Sequence, residues 1–272
     1  MHLVTGSHGA LGSLTLAALR SRGVDAAGGS RTPRDGERRV DFDDAAGLDL
    51  SGVSVLVLVS AGTAEDDQVI ARHAAVVDAA VRDGVTHVVY TSLTGAGDHL
   101  AFALAHRATE RLLASSSLGW TVLRNGLYAE LFGALLTWTP DGLESAFGSG
   151  ALAAVARTDL ADAAAVVAAD PGAHRGRTYD LVGEPVTADA VARRLGVEYR
   201  TIGLAEHRAR LDASRDLMPF QPAMLASIAT GVRHGFLGGT GPDLRDLLAR
   251  PLTDPLDVAA AAAASLRPGV AA

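Results

Sequence analysis

Thr5-Gly6-Ser7-His8-Gly9-Ala10-Leu11-Gly12 is the stretch on which the reading of this chain turns. It follows a short apolar segment, His2–Thr5, and opens an amphipathic one, Leu11–Arg22, in which Leu11, Leu14, Ala18 and Leu19 share a helical stripe. A strand, a glycine turn and a helix in that order can cradle a diphosphate. One glycine permits the tight turn, the next lets main chain approach the anion, and the third lets helix and strand pack closely. The anion then faces unpaired helix N–H groups and the positive end of the helix dipole. The spacing Gly6-x-x-Gly9-x-x-Gly12 departs from Gly-x-Gly-x-x-Gly, and without this frame it would mean only a tight turn. Gly6, Ser7, His8, Gly9, Ala10, Leu11 and Gly12 are therefore candidate cofactor contacts.

Further strands are expected at Asp25–Gly28, Arg39–Asp41, Ser54–Val59, His87–Thr91 and Trp120–Leu123, with helices over residues 66–83 and 99–115 between the later ones. Val53–Val59 is apolar enough to be covered on both faces, as strands of parallel sheets are. The alternation predicts an α/β protein, a Rossmann-type doubly wound parallel sheet. Past Leu123 prolines shorten the elements, with one more strand at Thr178–Leu181. The expected division is an NAD(P)-binding domain over residues 1–150 and a smaller, mainly helical substrate-side lobe over residues 151–272 that returns a strand to the main sheet.

Composition removes much chemistry. The 272 residues hold 24 basic groups, all arginine, against 31 acidic ones, and no cysteine. Without lysine no Schiff base or P-loop contact forms; without cysteine there is no thiolate and no disulfide. The formal charge of −7 gives no reason to bind nucleic acid or an anionic membrane. No signal-like opening or membrane-length apolar run is present, so a cytoplasmic location is expected. The nine histidines lack metal-ligand spacing, and no metal site is expected.

Cofactor choice rests on the end of the second strand. NAD-binding units usually place a carboxylate there, about 20 residues on, for the ribose 2′-hydroxyl. Here Gly29-Ser30-Arg31-Thr32-Pro33-Arg34 has no carboxylate, and Arg31 stands 19 residues beyond Gly12. A guanidinium suits a 2′-phosphate, so NADPH is inferred, with Arg34 as a weaker second candidate; the alternative is an ordinary solvated arginine. Asp41 and Phe42 read either as an adenine edge and cover or as a turn residue and a core ring. Ser60, Ala61 and Gly62 are small, as close backbone approach requires.

With Tyr90-Thr91-Ser92-Leu93 and Leu123-Arg124-Asn125-Gly126-Leu127-Tyr128 added to the glycine turn, the chain resembles the atypical, NmrA-like short-chain dehydrogenases/reductases. Within that group it is most similar to the bacterial NADPH-dependent quinone oxidoreductases and triphenylmethane reductases. The resemblance implies NADPH across the strand ends and a substrate cleft against the C-terminal lobe. Asn125, Gly126 and Leu127 would line the nicotinamide end. Leu93, Tyr128 and Phe132 are candidate substrate walls, although Tyr128 and Phe132 could equally be packing residues. Ser92 fills the superfamily's serine position, but His106 and Glu110 stand where its Tyr-x-x-x-Lys pair would be.

That substitution constrains the acceptor. A ketone reduced by hydride becomes an alkoxide needing an acid, whereas a quinone gives a phenolate-like anion of conjugate-acid pKa near ~10 that water can protonate. The expected substrate is therefore a quinone or similar planar, electron-poor compound. His106, with Ser92, is the candidate catalytic group, its charged form favoured by Glu110; otherwise it is a helix-surface histidine paired with Glu110. His73 reads as a satisfied core histidine. The competing functional reading is a non-catalytic NAD(P) sensor of the NmrA type, which the same missing pair would also suit.

Overall fold

The computed structural model describes residues 1–60 and 64–269. The first half runs β1 (His2–Thr5), α1 (Ala10–Ser21), β2 (Ala26–Ser30), β3 (Arg38–Arg39), β4 (Val55–Val59), α2 (Asp66–Arg82), β5 (His87–Leu93), α3 (Ala103–Ser115) and β6 (Gly119–Asn125). The remainder comprises α4 (Ala129–Ala134), β7 (Thr137–Thr139), β8 (Gly142–Ser145), β9 (Ala151–Ala154), α5 (Arg157–Ala169), β10 (Arg177–Leu181), β11 (Glu184–Thr187) and α6 (Ala188–Arg194). It ends with β12 (Glu198–Thr201), α7 (Leu204–Ala213), α8 (Gln221–Arg233), α9 (Asp243–Leu248) and α10 (Pro255–Ser265).

Seven strands form one sheet in the order β10-β6-β5-β4-β1-β2-β3, every neighbouring pair parallel. β4 and β5 lie in its middle, and Leu56, Val57, Leu58, Val88, Val89 and Tyr90 are fully buried there. One face packs on α1 and α5 through Val4, Leu16, Leu19, Leu160 and Val167. The other packs on α2 and α3 through Val76, Val77, Ala80 and Leu113. A third core joins α4, α6, α8 and α10 around Phe132, Phe147, Leu143 and Ile228. Among the described residues no helix is long and apolar enough to cross a membrane.

The expected α/β architecture is present, including the strand returning to the main sheet, where β10 pairs with β6. The C-terminal region is more mixed than mainly helical. It also holds β11–β9 and a three-stranded β12-β8-β7 sheet. These strands are three or four residues long and show little alternation. Ala151–Ala154 is a composition that favours helix, yet it pairs antiparallel with Glu184–Thr187. Glu144 is buried in β8 because Arg200 and Arg210 both pair with it.

Candidate active site

The parallel sheet brings the carboxyl ends of β1, β4, β5 and β6 to one edge, the place where open α/β sheets take ligands. Two cavities lie along it and share Val59, Ser60 and Tyr128 as a common wall. The larger, about 520 Å³, is lined by the glycine turn, Arg31, Phe42, Arg72 and Arg157. The smaller, about 220 Å³, is lined by Ser92, Leu93, His106, Asn125, Gly126 and Leu127, and closed by Met224 and Ile228 of α8.

Each glycine of the turn has its own reason. Gly6 adopts φ +61°, which side chains resist. A Cβ on Gly12 would lie 2.2 Å from the Gly6 carbonyl oxygen, so only glycine lets α1 approach β1 this closely. α1 starts at Gly9 with no side-chain cap and no acidic residue in its first turn. The N–H groups of Ala10, Leu11 and Gly12 have no hydrogen-bond partner among the described residues, so they can receive an anion. Ser7 turns the other way, its hydroxyl reaching Gly29 O and Glu37 Oε1 at 3.3 and 3.2 Å.

The guanidinium of Arg31 borders the larger cavity and has no ion-pair partner among the described residues. Arg72 is held there by Asp43 at 2.6 and 3.0 Å, and Arg157 lies 4.6 Å above the Tyr128 ring. Phe42 lines this cavity together with Asp43. Asp41 does not; its carboxylate accepts from Arg39 and from the Asp43 amide, as a turn residue does. Ala61 and Gly62 lie outside the described residues.

Sequence reasoning missed Glu37. Gly36, at φ +80°, turns the chain back so that Glu37 accepts from the Arg34 amide and pairs with His8 at 2.7 Å; His8 Nδ1 in turn meets Ser30 Oγ at 3.2 Å. The Arg34 amide, with His8 and Ser7, holds the Glu37 carboxyl below its ordinary range. The loop, and not the strand end, thus brings a carboxylate onto His8, which lines the larger cavity with Ser30 and Arg31. No spacing rule announces it. Arg72 and Arg157 likewise join the cleft from α2 and α5, far apart in sequence.

In the smaller cavity the expected His106–Glu110 pairing is replaced by two separate arrangements. Glu110 turns to Ser92 Oγ at 2.6 Å, Arg107 at 2.7 Å and both guanidinium arms of Arg124. Burial pushes the Glu110 carboxyl up, but Arg124, Ser92 and Arg107 outweigh it and hold it below its ordinary range. The Ser92 hydroxyl proton therefore goes to Glu110 and not to the cavity. His106 instead meets the Tyr90 hydroxyl through Nδ1 at 3.0 Å. Burial, aided by Arg107, pulls its pKa down to about 4 despite Glu110, so the imidazole is neutral at pH 7. The charged form expected from the i, i+4 spacing is thus overridden by desolvation.

Asn125 and Ser60 fit a pyridine nucleotide well. Among the described residues, Asn125 Oδ1 and Ser60 Oγ are both buried and without a hydrogen-bond partner, and both residues line the smaller cavity. Buried polar atoms left unpaired cost about 1–3 kcal/mol each, so their partners are expected from a ligand. Gly126 is tight for another reason: its amide bonds Leu181 O at 2.8 Å, and a Cβ would meet that oxygen at 3.2 Å. Leu93 and Tyr128 are cavity walls. Phe132 is not: it is buried in the third core, its ring stacked on Phe147 at 5.0 Å. His73 is buried among Phe42, Tyr90 and Thr109. Among the described residues no group of three or more potential ligands could hold a metal.

No family model matches the chain. Quinone oxidoreductase 2 of Escherichia coli (strain K12) is 34% identical over 231 residues, spanning 79% of this chain and 78% of its own length. The NmrA-like family domain-containing oxidoreductase flvB of Aspergillus flavus is 30% identical over 207 residues, 69% of this chain and 67% of its own. The crystal structure of Citrobacter sp. triphenylmethane reductase complexed with NADP(H) superposes with a TM-score of 0.85 at 28% identity, covering 96% of this chain and 99% of that one. With the glycine turn, the strand-end cavities and these relatives together, the chain belongs to the NmrA-like family of atypical short-chain dehydrogenases/reductases.

Proposed function

We propose that this chain is an NADPH-dependent reductase whose acceptor is a quinone or a similarly planar, electron-poor compound. The observation that carries this reading is that no lysine assists a phenol in the acceptor cavity, where burial raises the Tyr128 pKa and so weakens it as an acid. Ser92 gives its proton to Glu110, and His106 is neutral. A phenolate-like product, protonated by water, needs no such assisted acid. When bound, NADPH supplies the hydride. Residues of the chain do the rest: the α1 amides and Arg31 hold the phosphates, Asn125 and Ser60 fix the carboxamide end, and Tyr128 with Leu93 flank the acceptor. The NADP(H) complex of the Citrobacter reductase supports the choice of cofactor.

Following the absorbance of reduced nicotinamide with several quinones tests the proposal. Turnover above the buffer blank is expected with at least one. Tight NADPH binding with no turnover by any acceptor would favour a sensor instead.

Arg31→Ala is expected to weaken NADPH binding by about 1.5–3 kcal/mol, the range of a charge-assisted contact, and to leave NADH nearly unchanged. Calorimetry with both coenzymes decides it; equal losses would show that Arg31 does not read the 2′-phosphate. Glu37→Gln has the opposite sign. Removing a carboxylate near the phosphate is expected to tighten NADPH by about 0.5–1 kcal/mol at low salt and to narrow that gain at high salt. A loss of NADPH affinity in the same titration would mean that Glu37 matters for holding His8 and not for its charge.

A further inference from the structure

We propose that Tyr90 is a positioning residue that locks the His106 imidazole in the Nε2–H tautomer, giving the acceptor cavity a fixed, uncharged hydrogen-bond donor where the superfamily has its tyrosine and lysine. The proposal rests on reading the smaller cavity as the acceptor site.

Geometry comes first. Tyr90 is fully buried in β5; its hydroxyl meets His106 Nδ1 at 3.0 Å, and the weaker-accepting hydroxyls of Thr109 and Ser60 also stand beside it. A buried phenol must place its proton on an acceptor. An sp² imidazole nitrogen accepts better than a phenolic oxygen, and a phenol donates better than a neutral imidazole N–H. The bond therefore runs from Tyr90 O–H to Nδ1, and the single proton of the neutral ring stands on Nε2. His106 lines the cavity beside Asn125 and Ser60, and its Nε2 has no hydrogen-bond partner among the described residues.

The surroundings hold this state across a wide pH range. Burial raises the Tyr90 pKa above its ordinary value, so the hydroxyl keeps its proton. The charged and titratable groups around His106 are Arg107 and Glu110 on its own helix, Tyr90 on β5 and His73 on α2. Burial, and after it Arg107, disfavours the imidazolium; Glu110 favours it but is engaged by two arginines. Behind Tyr90, His73 packs edge-on at 5.6 Å and holds Thr109 Oγ1 at 2.8 Å, while Thr109 donates to Ala105 O. These contacts fix the phenol ring. A neutral Nε2–H facing the carbonyl oxygen of an acceptor stabilises the negative charge that develops there without transferring its proton.

Nitrogen-15 NMR of the coenzyme-free protein, labelled in histidine, reads the tautomer directly. The expected result is a pyridine-like Nδ1 and a pyrrole-like Nε2 for His106, unchanged from neutral pH down to about 5. The reverse assignment overturns the proposal whatever the enzyme does with quinones. In Tyr90→Phe the two signals are expected to move toward a tautomer average, and kcat to fall about tenfold with little change in the KM for the quinone. His106→Gln, which has no tautomer to fix, is expected to lower kcat by itself and to be insensitive to a second Tyr90→Phe change. A tautomer unaltered by Tyr90→Phe, or a Tyr90→Phe effect of equal size in the His106→Gln background, would refute it. Absence of any quinone turnover in the unaltered protein would strike the proposed function and leave the NMR result to decide the tautomer.

Discussion

Gly12→Ala is expected to weaken NADPH binding at least ~100-fold and to lower the unfolding midpoint. The new Cβ would stand 2.2 Å from the Gly6 oxygen, 2.8 Å from the Gly6 carbonyl carbon and 3.0 Å from the Thr5 oxygen. All three are main-chain atoms, so no side chain can swing aside. Either α1 backs away from β1 or the turn opens, and overpacking of this kind costs about 1–3 kcal/mol or more. Both movements take the Ala10, Leu11 and Gly12 amides off the diphosphate, each charge-assisted bond being worth about 1.5–3 kcal/mol. Gly9→Ala is the control. Its Cβ would meet only the Gly6 oxygen, at 3.2 Å, and a milder loss is expected. Calorimetric titration with thermal unfolding in parallel separates the two effects; an unchanged dissociation constant for Gly12→Ala would mean that the start of α1 does not hold the coenzyme.

Lowering the pH from 7 to about 4.5 is expected to destabilise the fold steeply, before the carboxylates titrate. Burial, the largest cause in each case, pulls His73 to about 3, and His87 and His106 to about 4, from an ordinary 6.5. The folded form therefore binds fewer protons than the unfolded chain throughout that window. Stability is full above pH 6.5 and falls as pH drops toward the folded values, each histidine contributing up to about 1.4 kcal/mol per pH unit. Their hydrogen bonds fit neutral rings: His73 to Thr109 at 2.8 Å and His87 to Thr121 at 2.9 Å. Carboxylates held low by ion pairs, such as Glu110 and Glu144, lose their contribution only below their ordinary 4.5, so the window belongs to the histidines. Circular dichroism melts at half-unit pH steps measure it. A midpoint flat between pH 7 and 5 would show that these rings are not buried as neutral groups.

The main sheet was legible because its signals are local and its environment uniform. Val55–Val59 can only be a strand covered on both faces, and the glycine turn declares the helix after it. β7 to β9, β11 and β12 carry no such pattern, since a strand as short as Thr137–Thr139 is decided by its neighbours. Arg31 was legible from its distance to the turn. Glu37 was not, because a single positive-φ glycine in the loop, and no strand, determines where it returns. Helical spacing brought Glu110 near His106 but could not rank their partners. Arg107, Arg124 and Ser92 compete better for the carboxylate, and Tyr90 comes from a strand sixteen residues earlier. Phe132 shows the same limit: an aromatic beside the site by sequence faces Phe147 in the structure.

The parallel pairing of Arg177–Leu181 with Gly119–Asn125 also bears on how the molecule is made. Until Arg177–Leu181 has been synthesised, the edge of β6 that it covers, Thr121–Asn125, lacks its partner strand and is open to other nascent chains. The Gly126 amide, which donates to Leu181 O, lacks its partner for the same interval, and the cavity it lines is closed only later still, when Met224 and Ile228 of α8 follow.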